Sequence, residues 1–348
     1  MKHVGMCLIA AAALVACQSI GIETDSPNVT EVDLESGVKG VRFIGKTVSD
    51  IDETLAFYQG VVPYTLVRRD RVDPAMLYPS QFIAGDHDEI EVALVDARNV
   101  FVQLVDFDPD APSEPFIRPV KGPGYTHMCF ISPASDSAFT KFRENGLTMV
   151  TRGEEPVDLG GYGMRYAYGL DPNGAMIETE VADTPRRDGG PWVGHIGSAT
   201  PDADRMSEFY TKILGYGPRR RGEYSDRPLI DQVVGYDNTV VRSSWFAARN
   251  MEIEFWEYIK PRTEARDGHA MLDTLGYNMI AYEVEDLDAE RARLADATVF
   301  SDPIMTPFGW RVATGLDPDG NIIALHERVS APETESIDAM LWIDPATF

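Results

Sequence analysis

The sequence is short of positive charge, of cysteine and of long apolar runs, and each shortage closes off a class of protein. Lys and Arg together number 31 against 56 Asp and Glu, a formal net charge of −25. That balance repels a phosphate backbone, so no nucleic-acid partner is expected. Past residue 20 no stretch approaches a membrane-spanning run. Cysteine occurs three times, as Cys7, Cys17 and Cys129. What is present is ordinary globular composition: 348 residues, 44% of them hydrophobic, supply enough core for about two domains.

The first residues differ from the rest. Met1-Lys2-His3 is a short positive segment, Val4 to Ala16 is apolar, and Leu14-Val15-Ala16-Cys17 follows. The run is too short for a comfortable span and has the character of a signal peptide. Leu-Val-Ala-Cys resembles the bacterial lipobox, which implies cleavage before Cys17 and lipidation of its thiol. Residues 1–16 are then the signal peptide and 17–39 a polar tether. The expected address is the bacterial cell envelope, with the protein lipid-anchored at Cys17 and facing the periplasm. With Cys7 removed and Cys17 acylated, Cys129 stands alone and no intramolecular disulfide is possible.

The remainder repeats. Gly169-Leu170-Asp171-Pro172-Asn173-Gly174 and Gly315-Leu316-Asp317-Pro318-Asp319-Gly320 are matching turn signals. Each follows a Gly-x-Arg strand (Gly163 to Arg165, Gly309 to Arg311) and precedes an apolar strand, Ala175 to Val181 and Asn321 to Glu327. A second pair is Ala97-Arg98-Asn99 and Ala248-Arg249-Asn250, each leading into a strand. Upstream of each lies an amphipathic helical pattern with a Phe-Tyr pair, Asp52 to Tyr64 and Asp202 to Tyr216. The chain therefore reads as four units, each a strand, a helix and three strands, over 40–108, 122–182, 190–259 and 275–328. Two further helices are expected near Ser135–Asn145 and Leu287–Leu294. As domains, 40–182 holds the first two units, 190–328 the last two, and 329–348 is a tail.

This pattern resembles the vicinal oxygen chelate superfamily: glyoxalase I, extradiol dioxygenases, methylmalonyl-CoA epimerase and the bleomycin or fosfomycin resistance proteins. The resemblance implies an α+β fold of four βαβββ modules in two glyoxalase-like domains with cup-shaped mixed sheets. It also implies metal ligands on the first and last strand of each module. Its first-strand ligand precedes an Ile-Gly or Ile-Ala pair, which gives Phe43, His195 and Met279, with His127 at the same place before Met128-Cys129. The last-strand ligand falls at a fixed interval after the Asp-Pro or Ala-Arg-Asn motif, which gives Gln103, Glu178, Glu254 and Ala324. His127, Glu178, His195 and Glu254 are all good ligands. Phe43 and Ala324 cannot coordinate, and the thioether of Met279 suits only soft ions.

Two pairings of modules follow. Consecutive pairing brings Gln103 to His127 and Glu178, leaving His195 and Glu254 apart. Central pairing makes one complete His-Glu-His-Glu site and one empty one, and the all-or-none distribution of ligands favours it. His326 faces the same side of its strand as Ala324; it is a candidate for a remodelled outer site, with the surface as its expected place. Arg165 is a candidate to neutralise an anionic substrate, with a surface ion pair as its plainer role.

Two imidazoles and two carboxylates suit a divalent ion such as Ni, Zn, Co, Mn or Fe(II). Such an ion is a Lewis acid toward a small substrate with paired oxygens, stabilising an enolate, and Glu178 or Glu254 is the catalytic base that moves the proton. The expected function is a metal-dependent isomerase or lyase of glyoxalase or epimerase type. An Fe(II) ring-cleaving dioxygenase and a non-catalytic envelope binding protein are the alternatives. The chain is expected as a monomer or homodimer.

Overall fold

Three aspartates start helices in the same way. The side chains of Asp50, Asp202 and Asp286 accept hydrogen bonds from the backbone N–H groups of Glu53, Arg205 and Ala289, the N-cap arrangement that satisfies a free donor of the first turn. Each cap sits just after a first strand and so fixes where each module turns from strand to helix. The computed structural model describes residues 35–110, 115–132, 137–160, 163–182 and 191–340. The expected signal peptide, Cys17 and nearly all of the tether lie outside them, as do residues 341–348.

The first module comprises β1 (Val38–Thr47), α1 (Ile51–Tyr58), β2 (Thr65–Val72), β3 (Ile90–Asp96) and β4 (Phe101–Asp106). The second has β5 (Gly124–Ser132), α2 (Ser137–Glu144), β6 (Thr148–Met149), β7 (Val157–Asp158), β8 (Met164–Leu170) and β9 (Met176–Ala182). The third has β10 (Trp192–Ala199), α3 (Ala203–Leu214), β11 (Arg220–Tyr224), α4 (Pro228–Val234), β12 (Val240–Ala247) and β13 (Glu252–Lys260). The fourth has β14 (Gly276–Val284), α5 (Leu287–Arg293), β15 (Ile304–Met305), β16 (Trp310–Leu316) and β17 (Ile322–Arg328).

Several expectations are corrected here. Helix α1 stops at Tyr58 rather than running to Tyr64, because Gly60 takes a positive φ of 74° and Pro63 disfavours helix at Val62. Helix α4 was not expected; it begins at Pro228 and ends on Gly235 in the left-handed region. The tether gives way to β1 at Val38. Residues 329–340 are no free tail. They fold back on the first and fourth modules, with Glu335 buried against Arg42 and Arg68 and Ser336 donating to Glu283 on β14.

Two sheets result. One has the order β15-β16-β17-β14-β1-β4-β3-β2, the other β11-β12-β13-β10-β5-β9-β8-β6 with β7 paired to β8. The first is built by the outer modules through antiparallel β1 and β14, the second by the central modules through antiparallel β5 and β10. Each sheet thus draws on both 40–182 and 190–328, so that division describes the order of modules in the sequence and not the sheets. Central pairing is the arrangement built.

One large core, including Ile44, Phe130, Ile196, Tyr210 and Ile280, spans both sheets and the helices. At its middle two buried asparagines make a reciprocal clasp. Asn99 Nδ2 donates to Val193 O, and Asn250 Nδ2 to Val41 O, each at 2.8 Å. Their Oδ1 atoms accept from the N–H groups of the same two residues at 3.1 and 3.0 Å. Each asparagine closes an Ala-Arg-Asn turn whose Arg has positive φ, 80° at Arg98 and 65° at Arg249. The repeated tripeptide therefore ties each module to the first strand of the other sheet.

Candidate metal centre

The register of the sheets explains which residues meet. In the parallel pair β5–β9, His127 lies opposite Met176 and Cys129 opposite Glu178. In β10–β13, His195 lies opposite Glu252 and Gly197 opposite Glu254. The antiparallel pair β5–β10 sets Gly197 against His127. Strand alternation sends all four candidate side chains to one face. The turn before β9 is held by Asp171, whose Oδ1 accepts from Asn173 N and Ala175 N at 3.0 Å. That turn fixes the distance from Asp171 to Glu178. Gly197 leaves room for the His127 ring, since a Cβ there would collide with it.

His127, Glu178, His195 and Glu254 converge, buried, with their ligand atoms all within 4.8 Å of one another. His127 Nε2 is 3.2 Å from His195 Nε2. Glu178 Oε2 stands 3.3 and 2.8 Å from His127 and His195 Nε2, and Glu254 Oε2 stands 3.2 Å from each. Four donors bound to one ion at about 2.0–2.1 Å in a tetrahedron are about 3.3 Å apart. Four of the five observed edges, at 3.2–3.3 Å, match that spacing, and the Glu178–His195 edge is shorter at 2.8 Å. Both Oε2 atoms are buried without a hydrogen-bond partner of good geometry, as an acceptor pair aimed at a cation would be.

Electrostatics agree. Burial alone would lower the pKa of both histidines. Glu178 and Glu254 outweigh it at His127, and Cys129 with Glu254 and Glu178 outweigh it at His195, so both are held above the usual imidazole value. Burial would raise the two glutamates, but the imidazoles hold both below the usual carboxylate range. Two buried carboxylates call for two positive charges. Two imidazolium ions supply them, and so does one divalent ion with both histidines neutral. Thr126 Oγ1 lies 3.0 Å from His127 Nδ1 and fixes that ring from behind.

The sequence reading missed a second row. Cys129 and Glu180 sit two residues beyond His127 and Glu178, on the same face, and with Glu178 and His195 form another group of possible ligand atoms within 4.8 Å. Strand alternation alone was enough to find them. Met176, opposite His127, lines a cavity of about 220 Å³ together with Ile117, Arg118, Val150, Val234 and Tyr236. Tyr168 packs beside His127 at 5.0 Å between ring centroids.

The outer sheet keeps the register without the ligands. Phe43 and Gly45 oppose Phe101 and Gln103, while Met279 and Ala281 oppose Ile322 and Ala324. Phe43, Met279 and Ala324 join one buried apolar cluster. Gln103 is far from joining His127 and Glu178, because it belongs to the other sheet. His326 is not at the surface: it is buried, 5.1 Å from the Phe43 ring. Arg165 lies opposite Val181, on the face turned away from Glu178, so the neutralising role does not fit it.

With four repeated modules and this one site in view, the comparisons take their place. The chain belongs to the glyoxalase/bleomycin resistance protein/dioxygenase superfamily, whose models match residues 40–179 and 194–314. Its fold is the α+β, two-domain vicinal oxygen chelate fold. Glyoxalase I from Zea mays is similar in structure, with TM-score 0.57 and 19% identity over 83% of this chain and 92% of that one. A candidate dioxygenase from Bacillus subtilis subsp. subtilis str. 168 gives TM-score 0.54 and 13% identity over 88% and 90%. At these identities the likeness is one of fold. No curated protein matches.

Proposed function

We propose that the central cup binds one divalent metal ion through His127, Glu178, His195 and Glu254 and catalyses isomerisation or a lyase reaction on a small substrate with paired oxygens. The observation that carries this is the convergence of all four ligand atoms, buried, at the spacing of a coordination shell. An ion held there supplies Lewis acidity where negative charge develops on the substrate oxygens. The protein supplies the rest. Glu178 or Glu254, whose Oε2 atoms lie within 3.3 Å of both imidazoles, would be the base that removes a proton beside a carbonyl and returns it to a neighbouring carbon. The cavity lined by Met176, the residue opposite His127 on β9, would take the body of the substrate, and the Tyr168 ring packs beside His127.

Four protein donors fill a tetrahedral shell; an ion that expands to six positions would gain two, enough for the two substrate oxygens and none for dioxygen. That weighs against the ring-cleaving dioxygenase found elsewhere in the superfamily. Metal analysis of the purified protein, joined to an oxygen electrode during turnover, tests the reading. One divalent ion per chain and no oxygen uptake are expected. Oxygen consumed in step with product would replace the isomerase with the dioxygenase. A metal-free protein that binds ligands and turns none over would leave a binding protein. We further propose that the chain is exported and anchored by lipid at Cys17, on the strength of Leu14-Val15-Ala16-Cys17.

A further inference from the structure

The inward face of the central cup carries more ligand atoms than the four. On β5 it presents His127 and then Cys129, and on β9 Glu178 and then Glu180. Cys129 stands opposite Glu178 in the β5–β9 pair. Strand β10 runs close on its other side, where a Cβ added at Gly194 would come within 3.6 Å of the Cys129 sulfur. One ligand atom each from Cys129, Glu178, Glu180 and His195 lies within 4.8 Å of the others. A thiol alone, or two carboxylates alone, would be ordinary. Here a fully buried thiol, an imidazole and two carboxylates share one space.

The donor types differ from those of the central four in one respect, the sulfur. A thiolate is a soft ligand and selects zinc or cadmium over manganese or magnesium. The spacing suits one ion. With metal–sulfur bonds of about 2.3 Å and metal–oxygen bonds of about 2.2 Å, opposite donors on one ion stand about 4.5 Å apart. Side-chain rotations of a few degrees close the atoms onto that distance. Charge points the same way. Three acids gathered in a largely buried space need a compensating cation, and the guanidinium that acts on Glu180, that of Arg220, already donates to Glu252 at 3.1 Å. Glu180 is only half-buried, which leaves this end of the group a side open to solvent.

We propose that Cys129, Glu178, Glu180 and His195 form a second metal seat in the cup, which takes a thiophilic divalent ion of the zinc or cadmium class in place of an ion at the central four. The ion displaces the proton of the Cys129 thiol and binds the thiolate. Glu178 and His195 belong to both seats, so a chain holds one ion at a time and the softness of the ion decides where. With the second seat filled, His127 Nε2 and Glu254 Oε2, 3.2 Å apart, are left to pair with each other. The inference needs neither an ion at the central four nor any activity there.

The test is titration of the reduced, chelator-treated full chain with cadmium and, separately, with manganese, read by the near-ultraviolet charge-transfer absorption of a metal-bound thiolate. Cadmium should raise that band to saturation at one ion per chain, and manganese should raise none. Cys129→Ser should abolish it. Glu180→Gln keeps the thiol and should weaken cadmium binding several-fold, which decides the matter even if the Cys129 variant does not fold. His127→Ala removes a ligand of the central four alone and should leave the band in place. The proposal is overturned if cadmium raises no band, or if Glu180→Gln binds cadmium as tightly as the wild type. A band that survives in Cys129→Ser would belong to Cys7 or Cys17 and overturns it as well. So does a band lost in His127→Ala or a second cadmium ion bound per chain.

Discussion

Glu254 and Glu178 reach the same two imidazoles, yet a glutamate that binds an ion and also moves a proton can be split into its two roles. Glu254→Gln keeps an oxygen donor and loses the base. Metal content should fall modestly while turnover falls by about 10²–10⁴. His195→Ala should lose metal and activity together, and both are read by elemental analysis beside a rate assay. Phe43→Ala, at the matching place in the outer sheet, should cost about 3–5 kcal/mol of stability with no change in metal stoichiometry. Asp317 contributes to the pH dependence of stability, beside Asp106 and Glu180, whose carboxyls burial pushes up to about 6 and about 7. Asp171 and Asp317 hold equivalent turns, each accepting from the tyrosine of its Phe-Tyr helix at 3.2 Å. Asp171 also has Lys46. Among the described residues no lysine pairs with Asp317, and burial pushes its carboxyl up to about 7. Its folded pKa thus lies above its unfolded value near 3.8. Below about pH 4 both states hold the proton and the contribution is complete. As pH rises toward 7 the unfolded chain has already ionised, and stability is lost, on the order of a few kcal/mol. Urea midpoints from pH 4 to 8 should show that decline in the wild type and a flatter one in Asp317→Asn. Parallel profiles would remove Asp317 from the account.

At the scale of strands and helices, Gly197 on β10 fits closely against the His127 ring on β5. Gly197→Ala changes no ligand and leaves the strand extended, but its methyl group takes the space of the imidazole. Metal content should fall sharply while far-UV circular dichroism stays near that of the wild type. An alanine variant with full metal would mean that His127 can be displaced and still bind. This level also shows what the sequence made legible. The resemblance to the superfamily gave the four ligand positions, and Glu178 and Glu254 could be counted along the chain because the Asp-Pro and Ala-Arg-Asn turns restart each last strand at a fixed residue. The end of α1 could be read from Gly60 and Pro63 but was set too late. Helix α4 is short and has one buried face, formed by Ile230, Val233 and Val234, too little periodicity to stand out within a strand–strand connection. Cys129 and Glu180 were legible by alternation and were passed over. The burial of His326 was not legible at all, because its ring meets Phe43 only when β1 and β17 enter one sheet.

At the scale of the whole molecule, the central site takes His127 and Glu178 from before residue 183 and His195 and Glu254 from after residue 190. A chain cut between those points should give halves that bind metal when mixed, or as dimers of one half, and never as monomers. Size exclusion coupled to metal analysis decides this, and a monomeric half holding an ion would contradict the fold. Cys17→Ser should leave an unprocessed or soluble product, whereas wild-type processing that resists globomycin, with cleavage elsewhere, would remove the anchor. The asparagine clasp has a wider consequence. Asn99 holds Val193 as Asn250 holds Val41, so the two halves of the chain contact each other as the two copies of a symmetric dimer do. In such a dimer each mutation is made twice, and any loss of a ligand damages both cups at once. Joined in one polypeptide, the halves mutate independently. Phe43, Met279 and Ala324 can then occupy ligand positions in one cup while His127, Glu178, His195 and Glu254 stay in the other. The clasp keeps the geometry of the pair, and the fusion gives each cup its own hereditary record.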